Sequence, residues 1–164
     1  MRLTFIGGAS TVTGSCYYIE VNKAKLLVEC GMHQGNGQTE DLNRRPFPFN
    51  PKDLDFIFVT HAHIDHSGLL PKAVKEGFRG RVISTPATRD LLGPMLYDSA
   101  AIQESDSAWA TKKSMRTGMA PVEPLYSSVD VDHTLPLFDV KPYDKMIHLA
   151  PGVKYRFLDA GHIL

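Results

Sequence analysis

Residues 56–71 read FIFVTHAHIDHSGLLP: an apolar run, then three histidines and an aspartate within six positions, then a second apolar stretch. The run DFIFVT, bounded by charged residues before it and by the histidines after it, predicts a short buried strand. Alternate residues of an extended segment project the same way. His61 and His63 can therefore present two nitrogens to one metal ion if the chain stays extended past the strand. A turn into a helix then brings Asp65 and His66 round to a second position, since neighbouring side chains on an extended segment diverge. Imidazole nitrogens and carboxylate oxygens are zinc ligands, and zinc sites use three or four of them. Two metals about 3.5–4 Å apart would suit a hydrolase that activates a water between them.

Outward from this stretch, Leu69, Leu70, Ala73 and Val74 share one face of a helix predicted over 67–76, with Pro71 in its first turn and Gly77 at its end. GRVIST predicts a strand, after which Pro86 opens a longer helix. Leu91, Leu92, Met95, Leu96 and Ile102 recur on one face of that helix, and Gly93–Pro94 predicts a kink. Residues 103–121 are polar with few apolar anchors, which predicts fraying into a mobile connection. A short helix over 127–135 has Ser127 or Ser128 as its cap. The segment from FDV onward predicts a strand, a Pro-Gly turn at 151–152 and a last strand through Phe157 or Leu158. At the other end, RLTFI is a strand candidate followed by a Gly-, Ser- and Thr-rich loop. CYYIEV and KLLVEC flank a tight turn at Asn22–Lys23, and residues 31–51 lack any period and predict a long surface loop. Strands first, helices in the middle and strands again point to mixed α and β layers.

The 164 residues suffice for one domain with a sizeable core, and eighteen basic and eighteen acidic side chains cancel. Net charge therefore argues for no class of partner. Two local basic clusters remain, Lys72, Lys75, Arg79 and Arg81 near the histidines, and Lys112, Lys113 and Arg116. No secretory h-region or membrane-length apolar run is present, so a cytoplasmic setting is expected and no membrane contact. Cys16 and Cys30 make no disulfide framework, though one bridge between them is open. His133 and His148 stand alone and read as structural or exposed. Cys30 reads as a small buried side chain, and His33 as part of a loop, rather than as ligands.

THAHIDH closely resembles the His-x-His-x-Asp-His signature of the metallo-β-lactamase superfamily. LTFIGGASTVTGSCYYIE, LLVECGMHQG, HSGLLPKAVKEGFRG, STPATRDLL, DSAAIQE and LAPGVKYRFLDAGHIL, in this order, resemble the N-terminal part of its β-CASP branch of RNA and DNA processing nucleases. The resemblance implies an α/β fold, the αββα four-layer sandwich, of which residues 1–164 are expected to be the N-terminal half, ahead of the β-CASP insertion. It implies that His61, His63 and His162 bind a first zinc, that Asp65 and His66 bind a second, and that Asp65 also orients the attacking water. Two zincs are expected in the whole enzyme and at most one held firmly by this chain. The implied activity is phosphodiester hydrolysis, on RNA rather than DNA, with this chain alone weak or inactive. A thioester or lactam hydrolase of the same fold, and a non-catalytic metal- or partner-binding fragment, are the alternatives. One departure stands out: Glu29–Cys30–Gly31 occupies the place of the branch's Asp-Cys-Gly, whose acid supports the site without binding metal.

Overall fold

The computed structural model describes residues 1–35 and 37–163, apart from the Glu40 side chain. Asn36, in the predicted loop, and Leu164 lie outside the described residues. The element order is β1 (Arg2–Gly7), β2 (Cys16–Val21), β3 (Ala24–Val28), α1 (Gly37–Glu40), β4 (Phe56–Phe58), α2 (Ile64–Ser67), α3 (Leu70–Lys75), β5 (Arg81–Ser84), α4 (Pro86–Met115), α5 (Ser128–Thr134), β6 (Phe138–Val140), β7 (Ile147–Ala150) and β8 (Val153–Tyr155). Strands β1 to β6 form one sheet in sequence order, antiparallel from β1 to β3 and parallel from β3 to β6. Asn22 and Lys23 both take positive φ in the β2–β3 turn, as a tight two-residue hairpin requires.

Alternation along the strands divides the core in two. Leu27, Ile57, Val59 and Val82 point to the helical face, where they pack with Leu70, Ala73, Leu92, Leu96 and Val131. Leu26, Phe58 and Ile83 point to the other face, where Phe157 and the β7–β8 hairpin cover them. Each such fully buried side chain contributes about 1.5–3 kcal/mol. Helices, main sheet and hairpin supply three layers of the expected αββα sandwich, as part of one should.

Four expectations need correction. The helix predicted over 67–76 is two short ones, because Leu69 donates its amide to the Cys30 carbonyl and Pro71 opens a new first turn. The loop over 31–51 contains α1 and a turn of 3-10 helix at Asp41–Arg44, and a second 3-10 turn begins at Pro51. It is pinned by Asn43, whose amide brackets the His33 backbone. Helix α4 does not fray at 103 but runs 30 residues, to Met115. Its buried line is Thr88, Leu92, Leu96, Ala100, Ser107 and Ser114, while Leu91 and Ile102 are 41% and 52% exposed. The helix continues through Pro94, which is exposed, so the carbonyl it strands is open to solvent. The last strand stops at Tyr155, with Phe157 making an isolated bridge to Tyr143.

Candidate metal centre

The histidine segment leaves the C-terminal end of β4, and its course is fixed by main-chain bonds from a neighbouring segment. The carbonyls of Ile64, Asp65 and His66 accept from the amides of Met32, Ser15 and Cys30, at 3.1, 2.9 and 2.8 Å. A four-residue helix is marginal alone; here the flanking chain satisfies its groups and holds it. Gly31 is required for this approach, since a Cβ there would collide with the Asp65 carbonyl oxygen. The extended His63 backbone (φ −61, ψ 143) serves as the cap position of α2, and Ser67 Oγ donates to the His63 carbonyl at 2.8 Å.

Three of the five predicted ligands converge. Ligand nitrogens of His61, His63 and His162 all lie within 4.8 Å of one another. His61 Nε2 and His63 Nδ1 are 3.1 Å apart, near the about 3.3 Å that separates two imidazole nitrogens on one tetrahedral zinc. His162 arrives from about one hundred residues later in sequence, its ring centroid 4.9 Å from that of His61 and 5.1 Å from that of His63. Its position is set by Ile163, which packs on the helical core, and by the Gly161 amide, which donates to Asp159 Oδ1. The donor set fits a metal ion: one pair of nitrogens at ligand spacing and a third imidazole within reach of both.

Asp65 and His66 lie beside this group rather than in it. The His66 ring is 4.1 Å from that of His61, and its Nε2 is 3.6 Å from Asp65 Oδ2. The other His66 nitrogen, Nδ1, is buried with no hydrogen-bond partner among the described residues, and faces Glu29 Oε2 at 3.7 Å. Glu29 is 3% exposed, has φ 66, and accepts from the Thr60 amide at 3.3 and 3.4 Å. The substituted acid thus keeps its place behind the site, with long contacts. Thr60 was not singled out by sequence: its Oγ1 lies 2.8 Å from His61 Nδ1, fixing that ring from behind. A threonine ending an apolar strand carries no signal of such a role.

Electrostatics favour the ligand form of His61. Burial first, then the charges of His66, His63 and His162, push its pKa down to about 4, against a smaller opposing effect of Asp65. Its imidazole is therefore neutral at physiological pH. The Glu29 carboxylate raises the pKa of His66. Burial pushes the Cys16 thiol up to about 12 and raises Cys30 well above the ordinary range, so neither offers a thiolate. Both cysteines are free and buried. His133 and His148 stay outside the cluster.

Most of the basic cluster near the histidines is committed elsewhere. Lys72 is buried against Glu76, the Arg45 carbonyl and the Phe47 ring. Lys75 and Arg79 donate to backbone carbonyls, and Arg81 pairs with Asp139.

The family profile of the metallo-beta-lactamase superfamily matches residues 10–152. The transcription termination factor FttA of Methanosarcina mazei is 32% identical over 169 residues, covering 100% of this chain and 24% of that protein. Ribonuclease TTHA0252 of Thermus thermophilus is 33% identical over 163 residues, covering 99% of this chain and 33% of that protein. The chain thus spans about a quarter to a third of the length of these relatives. Among solved structures, the archaeal metallo-beta-lactamase superfamily protein ST1585 from Sulfolobus tokodaii superposes with a TM-score of 0.51 at 18% identity, over 94% of this chain and 53% of that one. The fold is shared at that level. No helix among the described residues is long and apolar enough to cross a membrane.

Proposed function

The chain belongs to the metallo-beta-lactamase superfamily, and on that premise we propose that it carries the metal-binding part of a zinc-dependent phosphodiester hydrolase acting on RNA. The observation that supports this reading most is the convergence of His61, His63 and His162 in a chain 33% identical, along 99% of its length, to a ribonuclease. That identity along the chain favours a nuclease over a thioester or lactam hydrolase, which would share the superfamily profile and the histidines. It also favours the β-CASP branch, with residues 1–164 as the part that precedes the inserted domain, and a cytoplasmic setting.

In this reading His61, His63 and His162 hold one zinc, with Thr60 fixing the His61 ring. Asp65 and His66 contribute two ligands to a second, with Glu29 behind His66 and Asp65 also orienting water. Two ligands are too few to hold zinc firmly, so this chain retains one. Bound zinc would supply activation of water and charge neutralisation at the scissile phosphate. The chain's own residues supply the imidazole nitrogens, that of His61 held neutral, and a buried carboxylate, Glu29, behind them.

Metal analysis of dialysed protein tests this directly. One zinc per chain is expected, lost in His61→Ala while circular dichroism stays unchanged; unaltered zinc content in that variant overturns the ligand assignment. Labelled RNA should be cleaved slowly at most, and not at all after chelation. Faster turnover of a thioester or a lactam than of RNA overturns the substrate class.

A further inference from the structure

The second basic cluster differs from the first in how its charges are used. It lies on the last turns of α4, around Trp109, the chain's single tryptophan, which is 68% exposed. At 3.6 residues per turn, Trp109, Lys112, Lys113 and Arg116 fall within an arc of about 100°. That arc lies opposite the buried Ser107 and Ser114. Lys113 Nζ sits 5.6 Å from the indole centroid. None of the three cations joins an ion pair among the described residues. No acidic residue occurs from 107 to 122, and Asp106 stands one turn before Trp109.

An exposed indole flanked by unpaired cations offers a base a stacking surface and the adjoining phosphates a set of counter-charges. A protein partner is the weaker match: tryptophan and arginine are common at the centres of protein interfaces, but the two lysines beside them are not. A duplex is weaker too, since its base faces are already stacked.

We propose that the stripe formed by Trp109, Lys112, Lys113 and Arg116 binds single-stranded RNA at a place separate from the metal centre. The proposal rests on the RNA reading above and deepens it. The start of α4 adjoins the metal centre, for Ala87 and His162 line one cavity. Trp109 lies 22 residues further along the helix, about 33 Å at 1.5 Å per residue. The stripe therefore holds strand remote from the bond that is cut, and favours long substrates over short ones.

Because Trp109 is the single tryptophan, its emission reports on this site directly. Titration with an oligouridylate of about twelve nucleotides should quench it saturably. Three phosphate contacts predict a salt slope of about −2, and so roughly 20-fold weaker binding at 200 than at 50 mM salt. His61→Ala should quench identically. Trp109→Ala, followed by anisotropy of a labelled oligomer, should bind at least about five-fold more weakly with unchanged helix content. Replacing Lys112 and Lys113 together by alanine should flatten the salt dependence. No quenching, equal quenching by a duplex, or unchanged affinity in Trp109→Ala overturns the proposal. RNA cleavage without quenching overturns it while sparing the hydrolase reading, and quenching with faster turnover of a thioester or a lactam than of RNA does the reverse.

Discussion

Glu29 occupies a left-handed backbone position, φ 66, which an L residue enters at a cost of about 1–3 kcal/mol. The cost is met by its surroundings: its amide donates to the Phe58 carbonyl at 2.8 Å and its carboxylate accepts from the Thr60 amide. Sequence could mark Glu29 as an altered support residue, because residue type and motif position are written there; the backbone conformation that aims it is not. The histidines were legible for the same reason, since ligand chemistry resides in residue type and spacing. Thr60 was not, because hydroxyl and strand propensity coexist in any threonine. If Thr60 orders His61 from behind, Thr60→Val should lower zinc affinity about 10–100-fold, measured by competition with a chromophoric chelator; equal affinity removes Thr60 from the site. The thiols make a second case at this scale. Burial first, and then the Glu29 charge, lift Cys16 to about 12. An unfolded thiol ionises near about 8.5, so above that pH the unfolded state sheds a proton that the folded state keeps. The stabilisation is complete below the unfolded value and is lost as pH rises toward about 12. The urea midpoint should fall between pH 8 and 10.5, and fall less in Cys16→Ala; parallel slopes in the two proteins would refute the linkage.

At the scale of elements, α4 shows where pattern reading misleads. Apolar periodicity ends at Ile102 and predicts fraying beyond it, yet the helix continues to Met115, with small polar side chains replacing apolar ones on its buried line. Thr111 Oγ1 donates to the Val122 carbonyl and accepts from the Val122 amide, Ser114 Oγ donates to the Ala120 carbonyl, and Glu104 accepts from the Ser128 amide. These bonds tie the segment after the helix back along it. A hydropathy reading cannot register them, since the same residues look solvated. The two hydroxyl positions should separate on mutation. Thr111→Ala removes two bonds and should destabilise by about 1–2 kcal/mol. Ser107 Oγ is buried without a partner among the described residues, so Ser107→Ala should be neutral or slightly stabilising. Thermal unfolding of both variants decides it; equal losses would mean that packing, not hydrogen bonding, holds this part of the helix.

Over the whole molecule, the two faces of the main sheet are unequally covered. On the helical face the core is closed by α3, α4 and α5. On the opposite face, strand register lines up Leu3, Ile19, Leu26 and Phe56 in one row, and Phe5, Tyr17, Val28, Phe58 and Ile83 in another. The β7–β8 hairpin covers the end of these rows at Leu26, Phe58 and Ile83. Leu3 and Phe5, at the other end, remain 47% and 61% exposed. A groove of 340 Å³ lined by Met1, Ile19, Val21, Val28 and Tyr155 lies between. The layer order was legible from the alternation of the strands and from the family resemblance. Uneven cover was not, because it depends on how far one short hairpin reaches across a twisted sheet. Contiguous apolar surface of this kind drives association in isolated chains, and it is the surface that the second sheet of an αββα sandwich is expected to cover. Sedimentation should therefore show concentration-dependent association of this chain. Replacing Leu3 and Phe5 together by glutamate should suppress it, with the unfolding midpoint shifted little because both positions are exposed. Association unchanged in that double variant would place the contact on another surface, and would leave the bare end of the rows without consequence for the isolated chain.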